Sequence, residues 1–119
     1  MSYNVTLPRH SKIGAGAAAD LGPLCVQVGI TRPVLVTDGY LVDTGQADRL
    51  LGILRAAGCE PALFAETVPD PTSSSLLPGL ETVRRHRADG VIGFGGGSPM
   101  DTAKALAVLA VAEGDIASF

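Results

Sequence analysis

The sequence predicts an α/β fold, a parallel sheet flanked by helices, and three observations carry that prediction. Short apolar, β-branched runs alternate with longer segments of helical periodicity, in the regular order strand, helix, strand, helix, strand, helix. The composition is rich in Ala, Val, Leu and Gly, with 46% hydrophobic residues and no Trp, which suits helices packed on a sheet that is buried on both faces. Residues 91–112, V-I-G-F-G-G-G-S-P-M-D-T-A-K-A-L-A-V-L-A-V-A, join an apolar run to a long helical segment through three consecutive glycines. At 119 residues the chain has room for one small domain.

Residues 4–7 read as a short strand stopped by Pro8, and residues 11–13 as its return partner. Residues 17–28 have Leu21, Leu24, Cys25 and Val28 at helical spacing, with Gly22-Pro23 predicting a kink or two short pieces and Gly29 ending the segment. Residues 33–37 form a compact strand that runs into Asp38-Gly39. Residues 43–57 predict an amphipathic helix, with Leu50, Leu51, Leu54 and Ala57 inward, Asp48 and Arg49 in water, and Gly58 as its stop. Residues 60–64 form the next strand, and Pro69 and Pro71 around Asp70 make the following stretch a loop. Thr72 or Ser73 caps a helix that carries Leu76, Leu77, Leu80 and Val83 on one face. Its end, Arg84, Arg85, His86 and Arg87, suits the negative end of a helix dipole better than it suits nucleic acid. Asp89-Gly90 then turns into the last strand.

Two places suggest chemistry. In the first, the apolar run ending at Phe94 meets Gly95, Gly96 and Gly97, and Ser98, Pro99, Met100 and Asp101 open the helix. Ser98 reads as the N-cap, Pro99 as the first helical residue and Asp101 as a capping-box acid. Glycines let the backbone approach a ligand closely, and a helix N-terminus presents unpaired N–H groups, so a phosphate or pyrophosphate is the expected guest, slightly ahead of a plain connecting turn. The spacing is neither G-x-G-x-x-G nor a Walker A loop. In the second, Asp38 ends a strand where ligands bind in open α/β sheets. It can accept hydrogen bonds from ribose hydroxyls and would repel a 2′-phosphate, although a simple Asp-Gly turn accounts for the pair more economically. In the common dinucleotide fingerprint the glycine loop precedes the acid; here the acid precedes the glycines.

The net charge of −3 argues against nucleic acid and anionic membranes as partners. Cys25 and Cys59 lack metal-ligand spacing and read as ordinary buried thiols in a reducing compartment. With no signal-like N-terminus and no run long enough to span a bilayer, the expectation is a cytoplasmic protein.

Residues 95–105, G-G-G-S-P-M-D-T-A-K-A, resemble the signature of the iron-containing (group III) alcohol dehydrogenases. The supporting segments fall in that family's order. Ile13-Gly14-x-Gly16 is similar to its early glycine stretch, residues 34–38 to its first nucleotide-binding strand, and Val68-Pro69-Asp70-Pro71-Thr72 to its V-x-P-N-P-T loop, with Asp70 where Asn is usual. The resemblance implies a Rossmann-like sheet and an N-terminal dinucleotide-binding domain over residues 1–119. That domain would be partial and truncated, without the family's helical metal-binding domain. It further implies NAD as cofactor, with Asp38 at the adenosine ribose, Gly96, Gly97 and Ser98 at the pyrophosphate, Pro99, Met100 and Asp101 completing the turn around it, and Gly95 among the cofactor-binding residues. Asp70 would stand at a further cofactor contact, where a carboxylate loses the amide's donor and adds negative charge near phosphates. Lys104 would be a structural partner of an acid rather than a catalytic group. By resemblance the family moves a hydride between NAD(H) and a small alcohol or aldehyde, with iron or another divalent metal polarising the substrate oxygen. The metal's Asp and His ligands are expected outside this chain, since His10 and His86 lack ligand spacing, and a homo-oligomer is compatible with the reading. Relatives with sugar-phosphate or dehydroquinate chemistry share the architecture, but S-P-M-D-T-A-K fits the alcohol dehydrogenase branch better. The alternatives are a non-catalytic nucleotide-binding module that needs a partner chain, and a piece that binds nothing and exposes a sheet edge.

Overall fold

The computed structural model describes residues 2–6, 11–15, 21–68 and 71–112. The element order is β1 (Ser2–Thr6), β2 (Ser11–Ala15), α1 (Leu21–Val28), β3 (Pro33–Val36), α2 (Gly39–Asp43), α3 (Gln46–Ala56), β4 (Ala62–Phe64), α4 (Ser73–His86), β5 (Gly90–Phe94) and α5 (Gly97–Ala112). The described strands form one five-stranded sheet in the order β2-β1-β5-β3-β4. Strands β5, β3 and β4 are parallel, and β1 joins β5 antiparallel with β2 outside it. The expected parallel α/β sheet is therefore present, with the expected hairpin added along one side.

Alternation along the parallel strands divides the core between two faces. Leu35, Ile92 and Phe94 pack with Cys25, Leu41, Leu50, Leu51 and Leu54 of α1, α2 and α3. Val34, Val36 and Val91 pack with Leu76, Leu80 and Val83 of α4 and with Ala103, Leu106, Ala107 and Ala110 of α5. Helices thus cover both faces of β3 and β5, which explains why these strands read as unbroken apolar runs. The small residues on α5 let that helix lie close to the sheet.

Several local expectations change. The helix expected over 43–57 is α3, which starts at Gln46 because Gly45, at φ +83°, takes a left-handed turn before it; ahead of it stands a short helix the sequence did not suggest, α2, capped by Asp38. Leu77 is 59% exposed and leaves the inward stripe of α4, which is carried by Leu76, Leu80 and Val83 at i, i+4 and i+7. The expected segment 17–28 is helical over Leu21–Val28, where Pro23 is the third residue of α1 and needs no N–H, while residues 17–20 lie outside the described residues. Thr72 caps α4, and Ser75 completes a capping box with it. His10 and Asp70 lie outside the described residues.

The N-terminal ends of the parallel strands are tied by Asp89. Its carboxylate accepts from Thr31 N, Thr31 Oγ1 and Arg32 N, each at 2.8 Å. Arg32 donates from Nε to His86 O at 2.9 Å and pairs with Glu60 at 2.6 Å, an exposed bridge that contributes little on its own. This scaffold is at the opposite end of the strands from Asp38 and the glycine turn.

Cys25 and Cys59 are both free and buried, and Cys59 Sγ donates to Ile30 O at 3.5 Å. Burial, with smaller contributions from Cys59 and Asp89, pushes the Cys25 thiol from 9.0 up to about 12. Burial raises Cys59 as well. A raised folded value means that the protonated thiol is held in the native state. The stability is complete below pH 9.0 and is lost as pH rises toward 12, by up to ~1.4 kcal/mol per pH unit from Cys25 alone. Urea midpoints should fall across that window, and a Cys25→Ala variant should show a shallower fall; equal slopes would remove Cys25 as the cause.

Candidate functional site

The adjacent parallel strands β3 and β5 end side by side, and each delivers one candidate element. Asp38 follows β3 directly. Its Oδ1 accepts from Leu41 N at 2.9 Å and caps α2, while its Oδ2 is directed at Gly95, 3.5 Å from where a Cβ on that glycine would stand. The cap is a third role, neither the bare Asp-Gly turn nor a ribose contact, and it fixes the carboxylate's orientation. The buried Leu41 lies beneath the same point, its Cδ1 3.0 Å from that Cβ position.

Gly95 turns the chain out of β5 at φ +129°, a conformation that favours glycine. The helix then begins earlier than its capping pattern predicts. The Gly96 carbonyl accepts from Met100 N at 3.3 Å, so Gly96 is the N-cap and Gly97 the first helical residue. Ser98 becomes the second helical residue, Pro99 the third, and Asp101 an exposed residue beyond the capping position. Pro99 tolerates the change because the third helical position also lacks an intrahelical N–H partner. The first turn of α5 thus presents the N–H groups of Gly97 and Ser98, which have no helical acceptors, at the positive end of a 16-residue helix.

The expected residues therefore divide. Gly96 and Gly97 are exposed and Ser98 half-buried, and an added Cβ on either glycine would meet nothing within 4 Å. Pro99 is buried, with its Cγ 3.2 Å from the Gly95 Cβ position, and Met100 packs over Gly93. Those two side chains seat the helix on the strand, while the open side of the turn belongs to Gly96, Gly97 and Ser98. Lys104 is exposed and forms no ion pair among the described residues, so the expected acid partner is not found there. Two clefts of about 560 and 380 Å³ run along α4, and neither includes a candidate residue.

Thr37 was not singled out from the sequence, and it joins the two halves of the site. It is fully buried, and its Oγ1 donates to Phe94 O at 2.8 Å. The available signal is a hydroxyl in an otherwise apolar buried run, which needs a partner.

Among the described residues no three of His, Cys, Asp or Glu are grouped to hold a metal ion. No helix among them is long and apolar enough to cross a membrane. The open turn and the adjacent carboxylate, by contrast, suit a dinucleotide: N–H donors for the phosphates and an acceptor for ribose hydroxyls.

The family model of iron-containing alcohol dehydrogenases matches residues 8–119. An NAD-dependent methanol dehydrogenase from Bacillus methanolicus is 34% identical over 113 residues, 95% of this chain and 30% of that protein. Among solved structures, the NADH-dependent butanol dehydrogenase A of Thermotoga maritima superposes with a TM-score of 0.75 at 29% identity, over 86% of this chain and 26% of that one. A sulfoacetaldehyde reductase from Bifidobacterium kashiwanohense in complex with NAD+ superposes with a TM-score of 0.70 at 29% identity, over 78% of this chain and 24% of that one. The chain spans about a third or less of the length of these relatives.

Proposed function

The chain belongs to the iron-containing alcohol dehydrogenase family, and we propose that it supplies the NAD(H)-binding portion of a dehydrogenase that interconverts an alcohol and an aldehyde or ketone. The observation that carries this reading is the approach of Asp38 Oδ2 to Gly95, which sets an acceptor beside the N-terminus of α5. In the proposed complex Gly97 N and Ser98 N donate to the pyrophosphate, and the open side of Gly96 and Gly97 lets it come within hydrogen-bond reach. Asp38 accepts from the ribose hydroxyls of the adenosine, which leaves no space free of negative charge for a 2′-phosphate. The bound nicotinamide supplies hydride transfer, and these residues hold its other half. Pro99, buried, and Met100, half-buried, support the turn from beneath.

Titration of the protein with NADH, followed by nicotinamide fluorescence, tests the proposal; the absence of saturable binding would overturn it. Cofactor choice gives a sharper result. Asp38→Gly should narrow the ratio of NADPH to NADH dissociation constants by about tenfold, chiefly by relieving repulsion of the 2′-phosphate. Glycine is itself an acceptable N-cap, so α2 should survive the change with a loss of only a few tenths of a kcal/mol. An unaltered ratio would leave Asp38 as the cap of α2 and nothing more. The metal and the substrate alcohol belong, in this reading, to parts of the protein that these residues do not contain.

A further inference from the structure

We propose that Thr37 is a positioning residue for the dinucleotide site, holding Asp38 and the glycine turn in register through a buried hydrogen bond across the ends of β3 and β5. The inference rests on the reading of these two segments as the cofactor site.

The argument begins where the ladder ends. The last parallel rung between β3 and β5 is Val36 with Gly93. Beyond it a side chain makes the next rung: Thr37 Oγ1 donates to Phe94 O at 2.8 Å. Thr37 immediately precedes Asp38, and Phe94 immediately precedes Gly95. One hydrogen bond therefore joins the residue before the carboxylate to the residue before the turn. On the other side Thr37 N donates to Phe64 O at 2.9 Å, and Thr67 Oγ1 donates to Thr37 O at 3.1 Å. Every polar atom of Thr37 is thereby bonded, and the three strand ends are cross-linked at a single residue.

The residue type supports a role beyond packing. Pro33 to Val36 are all buried and apolar, and Val would fill the Thr37 position with the same shape. A fully buried hydroxyl costs stability unless it is bonded, and here its acceptor is the carbonyl that leads into the turn. The neighbouring geometry leaves little tolerance, because the Gly95 Cβ position has Leu41, Pro99 and Asp38 atoms within 3.0, 3.2 and 3.5 Å. A shift of β3 relative to β5 would displace the ribose acceptor from the phosphate donors, and a dinucleotide bridging both would lose one or the other.

The test is NADH and NADPH titration of the protein at its native length, at a temperature where each variant is fully folded by circular dichroism. Thr37→Val should weaken NADH binding about tenfold, the scale of one buried hydrogen bond. Thr37→Ser, which keeps the hydroxyl, should stay within about threefold of the unsubstituted protein. In an Asp38→Asn background the effect of Thr37→Val should shrink, since the two substitutions act on one contact. A merely structural role would lower the melting temperature of Thr37→Val and leave the dissociation constant of the folded protein unchanged; that result overturns the inference. If Thr37→Val does not fold, Thr67→Val decides. It removes the partly buried bond to Thr37 O and should weaken NADH binding severalfold, and unchanged affinity overturns the inference. Failure of the unsubstituted protein to bind NADH would overturn the proposed function itself, whereas NADH binding that Thr37→Val leaves intact overturns this inference alone.

Discussion

Gly97→Val is expected to abolish NADH binding, by a hundredfold or more, while the protein stays folded. Gly97 is the first residue of α5, and a Cβ there meets nothing within 4 Å. Its φ is not among the positive ones, so an L side chain fits the backbone without strain. Val and Gly differ by less than ~1 kcal/mol in helix propensity, so the melting temperature should move little. The ligand's side of the turn is another matter. A phosphate oxygen accepting from a backbone N–H sits about 3 Å from the nitrogen, and two methyl groups on a new Cβ would occupy that space. The measurement pairs NADH titration with a thermal melt. A folded variant with unchanged affinity would remove the turn from the cofactor site, and a variant that fails to fold would contradict the open space around the Gly97 Cβ.

Most of the scaffold was legible because its signals are local. Strands β3 and β5 announced themselves as short apolar runs, α4 by Thr72 and its i, i+4, i+7 leucines and valine, and the end of α1 by Gly29, which takes φ +81°. The errors fall where two local signals compete. Ser98-Pro99 looks like an N-cap and first helical residue, yet Pro99 suits the third position equally, and Gly96 took the cap. The capping role of Asp38 left no sequence signal because a five-residue helix such as α2 has too short a period to read. Thr37 was passed over because its importance lies in a partner 57 positions away, and spacing along the chain carries no trace of that. The candidate site was legible as two segments; their meeting depends on β3 and β5 being neighbours, which is a property of the sheet order.

Gly93→Ala should be strongly destabilising, by about 2 kcal/mol or more, and its comparison with Gly79→Ala, which adds the same methyl group, isolates the reason. An added Cβ at Gly93 lies 2.9 Å from Ala103 Cβ, 3.3 Å from Met100 Sδ and 3.5 Å from Met100 Cα. Ala103 Cβ is bonded directly to the backbone of α5 and cannot swing away, so relief requires the whole helix to rise from the sheet. That movement would open the contacts of Ala103, Leu106, Ala107 and Ala110 with the strands. At Gly79 the clash is numerically closer, 2.8 Å to Leu106 Cδ1 with Leu106 Cδ2 and Phe64 Cε2 each at 3.1 Å, but all three atoms are outer ends of side chains rather than a Cβ fixed to a backbone. Gly79→Ala also gains about 1 kcal/mol of helix propensity, which offsets the repacking. Urea denaturation should therefore separate the two variants despite their similar distances; equal losses would show that α5 yields as easily as a leucine rotamer. The same reasoning distinguishes four glycines that look alike in the sequence. Gly93 is required by close packing, Gly95 by φ +129°, and Gly96 and Gly97 by neither, since both face open space. Within the molecule as it stands, nothing asks for glycine at these last two positions, and a phosphate approaching the N-terminus of α5 would.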